Sequence, residues 1–123
     1  MIIDHIRDLE EFRRLYEERP LNDGLYTFEH IVNNPNLFCF YDENNAKLLA
    51  YIFINKDDSG NLYLSGASVP KNMPDNINAI LTICNAFNQD MYSETDSKAA
   101  AFLLRKAGFK KIEDNLFVRY KNG

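Results

Sequence analysis

The amino-acid sequence predicts an α+β fold (mixed α/β), with a central, mostly antiparallel, twisted sheet of about seven strands flanked by about four helices. Two observations predict this fold. Three strand-like apolar runs within residues 37–69 are joined by the turn clusters "DENN" and "DDSGN", which favours an antiparallel meander. Before and after this region, apolar residues recur at helical spacing and are bounded by start or stop signals.

The N-terminal part is predicted to form a strand and two helices. Residues 1–6 alternate weakly and are expected to form the first strand. The segment "DLEEFRRLYEERP" places Asp8 at an N-cap position and Glu11 three residues later, which is the spacing of a capping box, and Pro20 ends this helix. A short second helix follows, with Thr27 as its N-cap.

The rest of the chain is predicted to alternate strands and helices. The meander strands are expected near 37–42, 47–55 and 61–69. A helix in "PDNINAILTICNAF" has an apolar face formed by Ile77, Ile80, Leu81, Cys84 and Phe87. A strand at 90–94, a helix at 97–107 and two strands in "FKKIED" and "NLFVRYK" complete the chain.

Length and composition point to a single domain covering residues 1–123. The chain is 46% hydrophobic and 13% aromatic, which is enough to build one core. Charges begin at Asp4 and no apolar run reaches membrane-spanning length, so we expect a cytoplasmic protein without membrane contact. Cys39 and Cys84 lie in apolar runs and are expected to be inert core thiols, while the isolated histidines give no support to metal binding.

Charge is distributed unevenly along the chain. Residues 1–96 contain 7 Lys and Arg against 16 Asp and Glu, a net −9, whereas residues 97–123 contain 7 against 2, a net +5. The basic C-terminal segment could meet phosphate, nucleic acid or an acidic partner, although such charges more often form a solvated face. Nucleic acid is disfavoured because basic and aromatic residues do not interleave in a recognised module.

One stretch of sequence carries a family resemblance. In "SKAAAFLLRKAGFKKI" the positions of Ala100, Leu103, Gly108 and Phe109 are similar to the N-x-x-A-x-x-L-Y-x-x-x-G-F motif of the GCN5-related N-acetyltransferases (GNATs). The predicted order of elements resembles the GNAT fold over nearly the whole chain. Gly108 is also expected on physical grounds, because glycine ends a helix in the left-handed conformation.

The same stretch departs from the motif at two positions. Leu104 stands where many GNATs carry the tyrosine proposed as general acid, and leucine has no proton to give. Ser97 replaces the motif asparagine, which is a milder change because serine still caps a helix and forms hydrogen bonds. The sequence therefore matches the motif at the positions that pack in the core and departs from it at the positions that bind or react.

A second departure lies in "SVPKNMPDNINAILTI", which resembles the turn that receives the acetyl-CoA pyrophosphate in GNATs. With Pro70 aligned on the family proline, Met73 replaces a Gln or Arg. The glycines that let the backbone approach phosphate are replaced by Pro74, Asn76 and Asn78. Proline removes an N–H donor, and Asp75 beside it adds a negative charge.

Two functions from different classes follow from the resemblance. In the first, the chain has lost acetyl-CoA binding, needs no cofactor, and serves as a structural or interaction module through a protein partner or self-association. In the second, it is a divergent acetyl-CoA-dependent N-acetyltransferase acting on an amine of a small molecule or protein. The lost glycines and tyrosine favour the first. Tailed bacteriophages encode small proteins of this fold, so a host cytoplasm or a virion is compatible with it.

If the chain is an enzyme, the resemblance implies a set of site residues. Glu94 and Tyr92 are the candidate catalytic residues, beside Tyr63 and Ser65, where the strands of the family splay to admit substrate and cofactor. Partial burial would raise the pKa of Glu94 and make it a general base, but a solvent-facing carboxylate that alternates with Tyr92 is the favoured interpretation. The candidate cofactor-binding residues are Lys71, Asn76, Asn78, Ser97 and Lys110.

The last strand is a candidate for self-association. In "NLFVRYK", Phe117 is flanked by two apolar residues and could form a buried seam if this strand lies at the edge of the sheet. Arg119 and Lys121 would limit non-specific pairing there.

Overall fold

The computed structural model describes residues 2–18, 26–68 and 73–121. In chain order, the elements are β1 (Ile2–Asp4), α1 (Leu9–Glu18), α2 (Phe28–Val32), β2 (Leu37–Tyr41), β3 (Leu48–Lys56), β4 (Leu62–Ser68), α3 (Met73–Ala86), β5 (Met91–Glu94), α4 (Lys98–Lys106), β6 (Lys110–Glu113) and β7 (Leu116–Arg119). Each corresponds to a predicted element within about two to four residues, the usual uncertainty of a boundary. The predicted helix end at Pro20 and the predicted strand end near residue 69 lie outside the described residues.

The seven strands form one sheet in the order β1-β2-β3-β4-β5-β7-β6. Strands β4 and β5 run parallel, whereas β1–β2, β2–β3, β5–β7 and β6–β7 are antiparallel. This confirms the predicted mixed α+β fold with a mostly antiparallel sheet and four helices.

The position of β7 corrects the prediction that this strand lies at the edge of the sheet, and self-association itself stays a prediction. β7 pairs with β5 on one side and with β6 on the other, so both of its backbone edges are used within the sheet. Phe117 and Val118 are buried in this position. The strand at this end of the sheet is β6, and "NLFVRYK" is therefore not an edge strand.

The described residues divide into two compact units. The first comprises those of Met1–Ile54 and Gly66–Asn72, and the second those of Asn55–Ser65 and Met73–Gly123. The expectation of a single domain stays a prediction.

The core of the first unit is largely aromatic. Phe12 of α1 packs on Tyr51 of β3, with ring centroids 4.7 Å apart. Phe53 and Cys39 are buried in the same cluster. Burial raises the pKa of the Cys39 thiol to about 12, so this cysteine is protonated and inert at neutral pH, as the sequence predicts.

The start of α1 confirms one half of the predicted capping box. The Asp8 carboxylate accepts hydrogen bonds from the backbone N–H groups of Glu10 and Glu11, at 3.0 and 3.3 Å. The second bond of a capping box, from the Asp8 backbone N–H to the Glu11 carboxylate, is not formed. The Glu11 carboxylate instead accepts a hydrogen bond from the backbone N–H of Leu48 at 2.9 Å. Glu11 therefore ties α1 to the first residue of β3. Thr27 caps α2 as predicted, accepting a bond from the N–H of His30.

The second unit places α3 and α4 on one face of its strands. Arg119 of β7 connects them, since its Nε donates to the Ala107 carbonyl at 3.1 Å and its Nη2 donates to Asn85 Oδ1 at 2.6 Å. Cys84 of α3 is buried, which raises the pKa of its thiol to about 11. The buried face of α3 is rotated from the predicted one: Ile77, Leu81 and Phe87 are half-buried, and the fully buried positions are Asn76, Ala79, Ile80, Ile83 and Cys84.

Gly108 ends α4 as the sequence predicts. Its φ is +95°, in the left-handed region. The N–H of Phe109 donates to the Leu104 carbonyl at 2.9 Å, and the N–H of Gly108 donates to the Arg105 carbonyl at 3.1 Å. These are the two bonds of a Schellman motif, and Phe109 returns to the core, where it is 3% exposed.

Replacing Gly108 with valine is expected to lower the free energy of unfolding by about 1–2 kcal/mol, because a β-branched residue resists the left-handed conformation. Gly108→Asn is the matched control, since asparagine tolerates that conformation and should cost only part of this amount. Chemical denaturation of both variants measures the difference. Equal stabilities would mean that the backbone conformation at residue 108 is not what limits this helix end.

Candidate functional site

The backbone ladder between β4 and β5 is short. The two parallel strands pair only at Leu62 with Met91 and at Tyr63 with Tyr92. One residue further, the Ser93 hydroxyl donates to the Leu64 carbonyl at 2.7 Å. Ser93 is 5% exposed, so a buried side-chain bond holds the strands where their backbone pairing ends. Beyond it, the described residues of β4 and β5 have no paired register.

Ser93→Ala is expected to lower the free energy of unfolding by about 1–2 kcal/mol, because the buried Leu64 carbonyl would lose its donor. Ser93→Thr keeps a hydroxyl at the same position and should recover most of this loss. Ser65→Ala, at a half-buried position on β4, is expected to be nearly neutral. Urea denaturation compares the three variants, and an alanine variant as stable as the natural chain would show that the bond is not needed.

Tyr63 and Tyr92 lie side by side on one face of the β4–β5 pair. Their ring centroids are 5.5 Å apart, and strand alternation places Ser65 and Glu94 on this same face. Burial raises the pKa of Tyr63, and the nearby carboxylates of Asp57 and Glu94 raise it further. The structure thus brings together the candidate catalytic residues Tyr92 and Glu94 with Tyr63.

Glu94 is exposed. This agrees with the favoured interpretation of a solvent-facing carboxylate at the last residue of β5, and the partial burial that a general base would need is absent. Its candidacy as a general base stands on its position beside the tyrosine pair alone. The role itself stays a prediction.

The N-terminal turn of α3 is where the family resemblance would place the acetyl-CoA pyrophosphate. Asp75 is exposed there, and Asn76 is only 2% exposed. The Asn76 Oδ1 atom has no hydrogen-bond partner among the described residues. Asn78 is exposed, and its carbonyl accepts a bond from the Thr82 hydroxyl. Lys71, another predicted phosphate ligand, lies outside the described residues.

These residues do not fit a diphosphate. A phosphate site at a helix N-terminus needs free backbone N–H groups and a positive dipole end without a competing anion. Pro74 contributes no N–H, and the Asp75 carboxylate in the first turn already complements the dipole. The buried side chain of Asn76 takes the place of a glycine. This end of α3 is thus compensated by the chain's own residues.

The remaining predicted cofactor residues lie on other elements of the second unit. Ser97 is the N-cap of α4, where its hydroxyl oxygen accepts a bond from the N–H of Ala100 at 3.2 Å. Lys110 lies on β6, opposite Val118, which in turn lies opposite Tyr92. Because paired residues share a face, Lys110 lies on the tyrosine face, away from the face that carries α3 and α4.

Leu104 is 4% exposed and packs into the second unit. Its burial confirms that the position of the family tyrosine is used here for packing, and Ala100 on the same helix is half-buried. Leucine has no polar hydrogen, so this side chain cannot act as a general acid.

Sequence reasoning missed Ser93. The available signal was a serine at the inward position of the strand "MYSE", between residues that the alternation places outside. A small hydroxyl at an inward strand position needs a partner when it is buried, and the Leu64 carbonyl supplies it.

Two searches of the described residues were negative. No group of three or more His, Cys, Asp or Glu side chains among them is arranged to hold a metal ion. None of the described helices combines the length and apolar character needed to cross a bilayer.

Solved structures share the architecture of this chain. A crystal structure of an N-acetyltransferase from Staphylococcus aureus Mu50 superposes with a TM-score of 0.66 at 14% sequence identity, covering 100% of both chains. The crystal structure of an acetyltransferase (GNAT family) from Bacillus anthracis gives a TM-score of 0.67 at 11% identity, covering 98% of this chain and 95% of that one. Models of protein families give no match to the sequence, and curated protein sequences give none either.

Proposed function

We propose that this chain, which has the GNAT fold, has lost acetyl-CoA binding and serves as a protein-interaction module. The observation that carries the proposal is the first turn of α3. There Asp75 is exposed, Asn76 is buried and Pro74 lacks an N–H. An anion placed at this turn would meet a carboxylate and would find fewer backbone donors than a phosphate site uses.

The burial of Leu104 supports the same proposal from a second element. A tyrosine at this position of α4 could donate a proton to a departing thiolate, whereas leucine contributes only packing. The changes on α3 and α4 thus remove both an anion site and an acid, while the sheet and the Schellman end of α4 are kept. A chain that keeps the packing of a fold and loses its polar groups is expected to retain a surface role.

The second candidate function is a divergent N-acetyltransferase, and two observations favour it. The β4–β5 ladder has no paired register after Tyr63 and Tyr92, and the family resemblance places substrate and cofactor where these two strands splay. The orphan Oδ1 of Asn76 could accept a hydrogen bond from an N–H or O–H of a bound molecule. In this candidate, Glu94 would accept the proton of the amine, and Tyr63 and Tyr92 would position it.

A calorimetric titration with acetyl-CoA distinguishes the two functions. We expect no saturable heat from the natural chain. If heat is released, transfer to a panel of primary amines, followed by the release of free thiol, would establish the second candidate, and Glu94→Gln would then be expected to slow the transfer.

A further inference from the structure

Strand β6 leaves one side of its backbone open. It is the last strand in the order of the sheet, and its only described partner is β7. All four of its residues are exposed. Such an edge presents unpaired N–H and C=O groups that can accept another strand.

The surface around this strand carries positive charge. The α4–β6 edge, as we call it, consists of Arg105 and Lys106 on α4 together with the exposed strand residues Lys110, Lys111 and Ile112, and the exposed Glu113 ends the strand. No carboxylate of the described residues forms an ion pair with any of these four cations. The four cations therefore outnumber the two neighbouring carboxylates, those of Glu113 and Asp114.

Ring contacts and strand register make this surface continuous. The Arg105 guanidinium lies 5.7 Å from the ring centroid of Phe117, and Lys111 lies directly opposite Phe117 on β6. Arg105 and Lys111 therefore share one face of the sheet. Lys106 lies 5.4 Å from the ring of Phe102, which is 47% exposed.

Exposed apolar side chains accompany the charges. Ile112 is 46% exposed on the edge strand itself, and Phe102 is exposed on α4. A lysine alone on an edge strand is a common means of preventing pairing. Here several cations without ion-pair partners lie beside two large exposed apolar side chains. Such a surface can bind a segment that carries both carboxylates and apolar side chains.

The register defines what such a segment must contain. Lys110 lies opposite Val118 and Lys111 opposite Phe117, so the two lysines point to opposite faces of the sheet. A strand added beside β6 meets one lysine on each face. It therefore needs carboxylates at consecutive positions, with an apolar residue next to them to cover Ile112.

We propose that the α4–β6 edge binds an extended, acidic segment of another protein as an added β-strand. This inference rests on the interaction role proposed above and names the kind of partner. A protein segment fits better than nucleic acid because the open backbone of β6 offers strand pairing, which a nucleic acid cannot form.

The test uses a fluorescent peptide of sequence Thr-Val-Glu-Glu-Val-Thr with blocked ends and measures its anisotropy with the full chain at low salt. We expect saturable binding at sub-millimolar concentration. The double variant Lys110→Glu/Lys111→Glu should weaken it by about tenfold or more, since charge reversal replaces two attractive ion pairs with two repulsive ones. The double variant Lys47→Glu/Lys56→Glu changes the net charge equally and should bind as the natural chain does.

A second probe separates strand pairing from simple charge attraction. The same peptide, methylated at alternate backbone nitrogens, keeps its charges but cannot donate the ladder hydrogen bonds, and it should bind at least several-fold more weakly. Equal binding of both peptides, tighter binding of single-stranded oligothymidine, or loss of peptide binding in both double variants would overturn the inference. So would self-association of the free chain, if Lys110→Glu/Lys111→Glu abolished it.

The inference and the proposed function can fail separately. Peptide binding with saturable acetyl-CoA binding would leave the edge site standing and overturn the proposed loss of the cofactor. A flat acetyl-CoA titration without peptide binding would leave the loss standing and overturn this partner.

Discussion

Gly66→Ala is expected to lower the free energy of unfolding by about 3 kcal/mol or more, the largest effect of any single change considered in this molecule. A Cβ on residue 66 would collide with the backbone carbonyl oxygen of Tyr51 and would lie 3.0 Å from the Cα and 2.9 Å from the Cγ2 of Ile52. Two of these atoms belong to the backbone of β3, so no rotamer change relieves the contact. Strand β4 would have to move away from its neighbour.

Thermal and chemical denaturation measure this effect, with an expected fall in the melting temperature of about 10 °C or more. Gly60→Asn is the steric control, because a Cβ at residue 60 meets nothing within 4 Å and asparagine tolerates its φ of +87°. If Gly66→Ala were as stable as Gly60→Asn, the close approach of β4 to β3 would not exist in solution.

Leu104→Ala is expected to cost about 2–5 kcal/mol, because it leaves a cavity at a position that is 4% exposed. Leu104→Tyr introduces the residue of the family motif and should cost about 1–3 kcal/mol through overpacking. Leu104→Met conserves volume and is the matched control, with an expected cost below about 1.5 kcal/mol. Urea denaturation ranks the three.

Leu104→Tyr also tests the proposed function. We expect the variant to show no acetyl transfer to amines, since the first turn of α3 is unchanged in it. Acetylated product above the level of the natural chain would show that the acid was the only missing part and that the cofactor site is intact.

Element types and their order were predictable from local signals. The turn clusters "DENN" and "DDSGN" mark the ends of the meander strands, and Gly108 marks the end of α4. These features depend on backbone conformation within a few residues, which is the range over which a sequence pattern is informative.

Features that depend on tertiary contacts were less predictable. Glu11 has the spacing of a capping box, yet its carboxylate binds the N–H of Leu48, which is distant in sequence. In the sheet, β7 lies inside β6 because β7, and not β6, pairs with β5. The apolar residues of "NLFVRYK" are compatible with either an edge strand or an inner strand, so the sequence did not predict this order. The inner position explains its buried residues without any partner.

The candidate site shows the same division. Tyr63 and Tyr92 could be placed together because both lie on strands that the fold brings side by side. The exposure of Glu94 agrees with the solvent-facing carboxylate that the sequence favours, whereas the burial of Asn76 could not be predicted, because it depends on what covers the residue. Asn76 stands where the family motif has a glycine. It is buried because the buried face of α3 differs from the face that apolar periodicity predicted.

The most direct test of the loss of acetyl-CoA binding is a titration of the protein with acetyl-CoA, in which calorimetry measures the heat and a thermal-shift assay of the same sample measures the melting temperature. Acetyl-CoA at about 100 times its dissociation constant would stabilise the native state by roughly 2.7 kcal/mol. We expect no saturable heat and no change in melting temperature. Asp75→Asn should behave the same, because Pro74 and the side chain of Asn76 remain in the first turn of α3. Saturable heat at sub-millimolar acetyl-CoA, with a matching rise in melting temperature, would contradict the account.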